Sequence, residues 1–87
     1  MALQEEFTQA QDRVQKLSQR PGNNELLTLY ALYKQATVGD CSGKRPGMLD
    51  IKGRAKFDAW EGQRGLAKED AMKGYVDLVA ALETKLG

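Results

Sequence analysis

An all-α fold, a bundle of four helices, is what this 87-residue chain predicts. Apolar residues recur at helical spacing in four segments. Breakers separate the segments: Arg20-Pro21-Gly22, then Gly39 with the polar loop after it, then Gly65. The length is that of one domain over residues 1–87, with a single compact core.

The first segment covers residues 3–18. Phe7, Ala10, Val14 and Leu17 follow one another at steps of 3, 4 and 3, one face of a helix, with no β-type alternation. Glu5 and Glu6 sit in its first turns and Lys16 near its end, as the helix dipole favours.

The second helix is expected to start at an Asn23 N-cap and to run to about Val38. It has two apolar lines. Leu26, Tyr30 and Tyr33 form one, with Leu27 beside it; Leu29, Leu32 and Ala36 form the other. Such a helix lies centrally, or buries one line and offers the other to a ligand. Aromatics at this spacing are also ordinary packing residues, so core and site both stay open for the tyrosines. Lys34 follows Tyr33 directly. Aromatic faces beside an ammonium group suit a flat base carrying a phosphate.

Gly39 is the expected left-handed cap. The connection over residues 40–50 is long for so small a bundle. Pro46-Gly47 marks a turn, and Met48 and Leu49 are expected to tuck into the core and pin the loop. Cys41 has no partner for an internal disulfide, and its thiol is expected to be exposed in this loop.

The third helix is expected from an Asp50 cap through Ile51 to Gly65. Lys52, Arg54 and Lys56 alternate with apolar residues, and Trp60 reads as a core anchor. The fourth covers residues 67–86, with the stripe Met72, Tyr75, Val76, Val79, Leu82 and Leu86. Ala67 at its cap position forgoes about 1 kcal/mol of capping. Gly74 in mid-helix costs about 1 kcal/mol relative to alanine.

Composition narrows the function. Hydrophobic residues at 41% and charged residues at 29% argue for a globular domain. A net charge of +1, from 13 basic and 12 acidic residues, is too balanced for nonspecific nucleic-acid binding, so any anion site is local. There is no apolar run of membrane-spanning length. The first residues lack the order of a signal peptide, which points to the cytoplasm. Histidine is absent and Cys41 has no basic partner, so neither catalytic residues nor a metal site are expected.

Three stretches carry a more specific signal. YALYKQATVGD (residues 30–40), RPGMLDIKGRAKFDAW (45–60) and KEDAMKGYVDLV (68–79) closely resemble the acyl-CoA-binding protein family, also called the diazepam-binding inhibitors. The resemblance covers essentially the whole chain. It implies an up-down-down-up four-helix bundle that binds medium- to long-chain fatty acyl-CoA esters and carries them inside the cell. It implies a monomer with no cofactor beyond the acyl-CoA ligand, no nucleic acid and no stable membrane insertion. By matching positions, Tyr30, Tyr33, Lys34, Lys56 and Tyr75 would form the head-group site. The Tyr33 ring would stack on adenine, and Lys34 and Lys56, helped by the Tyr30 hydroxyl, would hold the ribose 3′-phosphate. Tyr75 would pack near the pantetheine, and Leu26 and Leu27 would line the acyl groove.

Three positions depart from the family pattern. Gln15 stands where many members have a lysine, Ala67 where a serine-type cap is usual, and Leu26 where methionine is frequent. The missing lysine removes one charge contact, and the stiffer Leu26 is expected to alter acyl-length preference. The alternative reading is a helical protein-interaction module that docks a partner on the same aromatic and basic surface. A small thioesterase on the same ester lacks a nucleophile and base.

Overall fold

A computed structural model describes residues 2–87 and contains four helices: α1 (Leu3–Val14), α2 (Asn23–Thr37), α3 (Ile51–Glu61) and α4 (Lys68–Leu86). Helix α1 packs on α4, α4 on α2, and α2 on α3. Side-chain pairs give the directions. Phe7 meets Tyr75 and Arg13 meets Glu83, so α1 and α4 run parallel. Glu25 meets Lys85 and Gln35 meets Leu66, so α2 opposes α4. Tyr30 meets Lys56 and Lys34 meets Trp60, so α2 and α3 run parallel. The order is up-down-down-up.

The main buried cluster comes from three helices, and Trp60 of α3 is buried outside it. Phe7 and Ala10 of α1, Leu29, Leu32 and Ala36 of α2, and Ala71, Tyr75, Val79 and Leu82 of α4 form one buried cluster. Of the two apolar lines on α2, the line Leu29–Leu32–Ala36 faces this core, while Leu26 and Tyr30 are half-buried and Tyr33 is exposed. Gly74 lets α2 approach: a Cβ there would lie 3.3 Å from a Leu32 methyl. Helix α3 contributes nothing to the cluster and leans on α2 alone. That arrangement leaves a groove between α2 and α3.

Several boundaries differ from the sequence expectation. Helix α1 ends at Val14 and not at Ser18. Gln15 and Lys16 turn back to Asp12 and Arg13, and the Ser18 hydroxyl donates to the Gly87 carbonyl at 2.9 Å, which draws the chain toward the end of α4. The α2 N-cap is Gly22, with Asn23 already helical. Gly22 has no side chain to cap with, and the Glu25 carboxylate instead accepts from its N–H at 2.9 Å. Helix α3 stops at Glu61; three-residue turns then lead to Gly65, whose φ of +91° reverses the chain. Asp50 does cap α3, accepting from Gly53 N–H at 3.0 Å, and Ala67 stands uncapped before α4.

The loop is pinned differently from the expectation. Met48 and Leu49 do not enter the core; both are exposed. Cys41 is the apolar residue that turns inward, so its thiol is buried and not exposed. Polar contacts hold the rest. The Trp60 indole donates to the Gly39 carbonyl at 2.8 Å and Arg64 to the Cys41 carbonyl at 2.6 Å. Asp40 accepts from Gln35 and from Gly65 N–H, both at 2.8 Å. Arg45 forms a two-bond pair with Asp58 at 2.9 and 2.7 Å. Once these anchors are made, the turn at 47–50 is free to stand out from the surface.

Candidate functional site

A cavity of about 520 Å³ lies between the first half of α2 and the first half of α3. Leu26, Leu27 and Tyr30 of α2 face Ile51, Lys52, Ala55 and Lys56 of α3 across it, and Arg20 and Asn23 close one end. Its size is in the ordinary range for a small-molecule site. The two walls follow from helical geometry. Ile51 and Ala55 are four apart, as are Lys52 and Lys56, so one apolar and one basic row run down the same side of α3.

Tyr30, Tyr33 and Lys34 are spaced three and four apart, which places them on one side of α2. Lys56 Nζ lies 5.4 Å from the centroid of the Tyr30 ring, and Lys34 Nζ lies 4.8 Å from that of Trp60. Neither lysine takes part in the ion pairs of the described residues. Both ammonium groups rest on aromatic faces, a weak hold worth about 0.5–1 kcal/mol at an exposed site. A dianionic phosphate offers each of them a stronger partner.

The tyrosines have different settings. Tyr33 is 39% exposed, and one face of its ring stacks on Phe7 with centroids 6.1 Å apart and an interplanar angle of 29°. Tyr75 is buried edge-on against the same Phe7 at 5.1 Å. Burial, with the Tyr33 hydroxyl adding to it, pushes the Tyr75 phenol above its ordinary pKa.

Of the seven residues singled out from the sequence, Leu26, Leu27, Tyr30 and Lys56 come together in the cavity. Tyr33 and Lys34 lie one turn further along α2, and Tyr75 belongs to the core cluster. Gln15 is exposed just beyond the end of α1. Arg20, Asn23, Ile51, Lys52 and Ala55 line the cavity without having been singled out. The paired four-residue spacings Ile51/Ala55 and Lys52/Lys56 in α3 were the available signal.

The model of the family described as acyl-CoA-binding protein matches residues 4–79. The chain belongs to the acyl-CoA-binding protein family. An acyl-CoA-binding protein homolog of Manduca sexta is 53% identical over 88 residues, with 100% of this chain and 98% of the relative covered. Acyl-CoA-binding protein homolog 1 of Caenorhabditis elegans is 53% identical over 81 residues, covering 93% of this chain and 94% of the relative. The crystal structure of Oryza sativa acyl-CoA-binding protein 2 superposes with a TM-score of 0.92 at 42% identity, over 97% of this chain and 93% of that one. This family member therefore shares that bundle over nearly all of its length.

Proposed function

We propose that the chain binds medium- to long-chain fatty acyl-CoA esters reversibly and acts as a cytoplasmic, monomeric carrier and pool former. The observation that carries this reading is the α2–α3 cavity. It sets an apolar lining of Leu26, Leu27, Ile51 and Ala55 beside a phenol and two ammonium groups that have no carboxylate partner. An acyl-CoA ester has the same division, with an apolar tail on one side and a flat base and phosphates on the other.

The parts divide the work. Lys34 and Lys56 hold the ribose 3′-phosphate with charge-assisted bonds of about 1.5–3 kcal/mol each, with the Tyr30 hydroxyl in support. Adenine stacks on the open face of Tyr33, worth about 1–3 kcal/mol. Tyr75 packs near the pantetheine. Leu26 and Leu27 cover the tail, and each CH₂ removed from water adds about 0.8 kcal/mol, roughly fourfold in affinity. No step breaks the thioester. The chain contains no histidine, and the family is named for binding. Nothing in the geometry favours a protein-interaction module over this reading.

Titration with octanoyl-, lauroyl- and palmitoyl-CoA tests the groove. Affinity is expected to rise with tail length until the groove is full. Equal affinity for all three would leave the tail outside the cavity.

A further inference from the structure

The end of the α2–α3 connection and the first residue of α3 expose three neighbouring large apolar side chains. Met48 is 82% exposed, Leu49 99% and Ile51 77%. They occupy four successive positions with Asp50, on a turn closed by the Asp50 N–H donating to the Gly47 carbonyl at 3.0 Å. Asp50 then caps α3, and Arg45 is tied to Asp58 behind the turn. The tip is therefore held outward by its own hydrogen bonds. A ligand in the cavity does not cover it, because Ile51 lines the cavity while Met48 and Leu49 do not. Exposed apolar groups clustered in this way call for an occupant.

The surrounding charge selects the occupant. Residues 44–56 include Lys44, Arg45, Lys52, Arg54 and Lys56, and Arg20 stands at the cavity's end. Arg45 is neutralised by Asp58, and the one carboxylate inside the stretch, Asp50, caps α3. Lys44, Lys52, Arg54 and Arg20 take part in none of the ion pairs among the described residues. An apolar tip flanked in the chain by cations outside these ion pairs matches a bilayer of anionic phospholipid, with acyl chains beneath and phosphates around. Three side chains on one turn are also far fewer than the 20–30 residues a side of a typical stable protein interface.

We infer that the turn at residues 47–51 docks on the surface of an anionic bilayer. Met48 and Leu49 enter the headgroup boundary, and Lys44, Lys52 and Arg54 meet lipid phosphates. One apolar wedge with basic flanks gives shallow, reversible contact, without insertion of a helix. Ile51 and Lys52 belong to both the turn region and the cavity, so docking brings the cavity mouth to the membrane, where an acyl-CoA tail transfers without crossing open water. The use of docking for transfer rests on the proposed carrier function; the docking itself does not.

Flotation of the ligand-free protein with unilamellar vesicles tests the inference. The protein is expected to float with phosphatidylcholine–phosphatidylserine vesicles and to bind phosphatidylcholine alone at least about fivefold less, since each cation near an anionic surface is worth about that factor. Met48→Ser/Leu49→Ser is expected to lower vesicle partitioning about tenfold, with the circular dichroism and the palmitoyl-CoA affinity in solution unchanged. Lys44→Gln is expected to lower it about fivefold. Flotation of the double variant equal to the unaltered protein overturns the inference. So does absence of flotation with anionic vesicles, which turns attention to a protein partner for the tip. If palmitoyl-CoA fails to bind in solution while flotation persists, the carrier reading falls and the docking surface stands.

Discussion

The Lys34 ammonium lies 4.8 Å from the centroid of the Trp60 ring, and that same indole donates to the Gly39 carbonyl just past the end of α2. Helix α3, which adds nothing to the core cluster, is thereby tied to α2 where Lys34, the proposed head-group cation, stands. The tie fixes the Trp60 face under Lys34. Lys34 is held near one position without being neutralised, a state that suits its proposed role of accepting and releasing a phosphate.

Lys34→Ala is expected to weaken palmitoyl-CoA binding about 10- to 100-fold. Palmitoyl-pantetheine, which lacks the 3′-phosphate, is expected to bind almost as before. Titration of both ligands checks this, and equal losses for the two would remove Lys34 from the phosphate.

Tyr33 and Tyr75 are expected to respond oppositely. Tyr33→Ala loses an aromatic pair at the surface, worth about 0.5–1.5 kcal/mol of stability, but about 5- to 100-fold in affinity for the ester. Tyr75→Ala leaves a hole beside Phe7 and is expected to cost about 3–5 kcal/mol of stability. Thermal melts run beside titrations separate the two. A large fall in Tm for Tyr33→Ala with affinity intact would make that ring a packing residue only.

Stability is expected to fall on the acid side. The Asp40 carboxyl is held below its ordinary pKa first by Gly65 N–H, then by the Gln35 carboxamide, with Arg64 adding. Arg45 does the same for Asp58 and Arg13 for Glu83. Their folded pKa values are depressed, so the stability they contribute is present above the unfolded carboxylate range of about 4. It is lost as pH falls through the folded values. With no histidine in the chain, Tm is expected to be flat between about pH 6 and 8. Asp40→Asn is expected to lower Tm at neutral pH and to shrink the drop on acidification; an unchanged drop would exclude Asp40 from it.

The Cys41 thiol is expected to be unreactive. Burial pushes its pKa up, and the Glu61 carboxylate, as acceptor and as a negative charge, adds to the shift. Labelling by a thiol reagent at mildly alkaline pH is expected to run at least about 100-fold slower in the folded protein than in urea. Comparable rates would place the thiol at the surface after all.

The helices and the core stripes were legible in the sequence because they depend on local periodicity. Phe7, Ala10, Val79 and Leu82 fall where their spacing puts them. The two lines of α2 were legible as two lines, but which one faced water depended on α4 and on Gly74 receiving Leu32. Met48, Leu49 and Cys41 were misjudged because local pattern cannot show which loop residue the polar anchors turn inward. Trp60 and Gly39, or Asp40 and Gly65, are too far apart in the chain for their hydrogen bonds to be read from it. Of the cavity lining, Leu26, Leu27, Tyr30 and Lys56 had been singled out through the family resemblance, while Arg20 and Asn23 became visible only when α3 lay beside α2.

Calorimetric titration of the pure protein with palmitoyl-CoA, free CoA and palmitate in parallel tests the central claim most directly. One-to-one binding of the ester, with each fragment bound far more weakly, is the expected result, because the proposed site holds head and tail together. No binding of palmitoyl-CoA, or binding no tighter than that of either fragment, would contradict it.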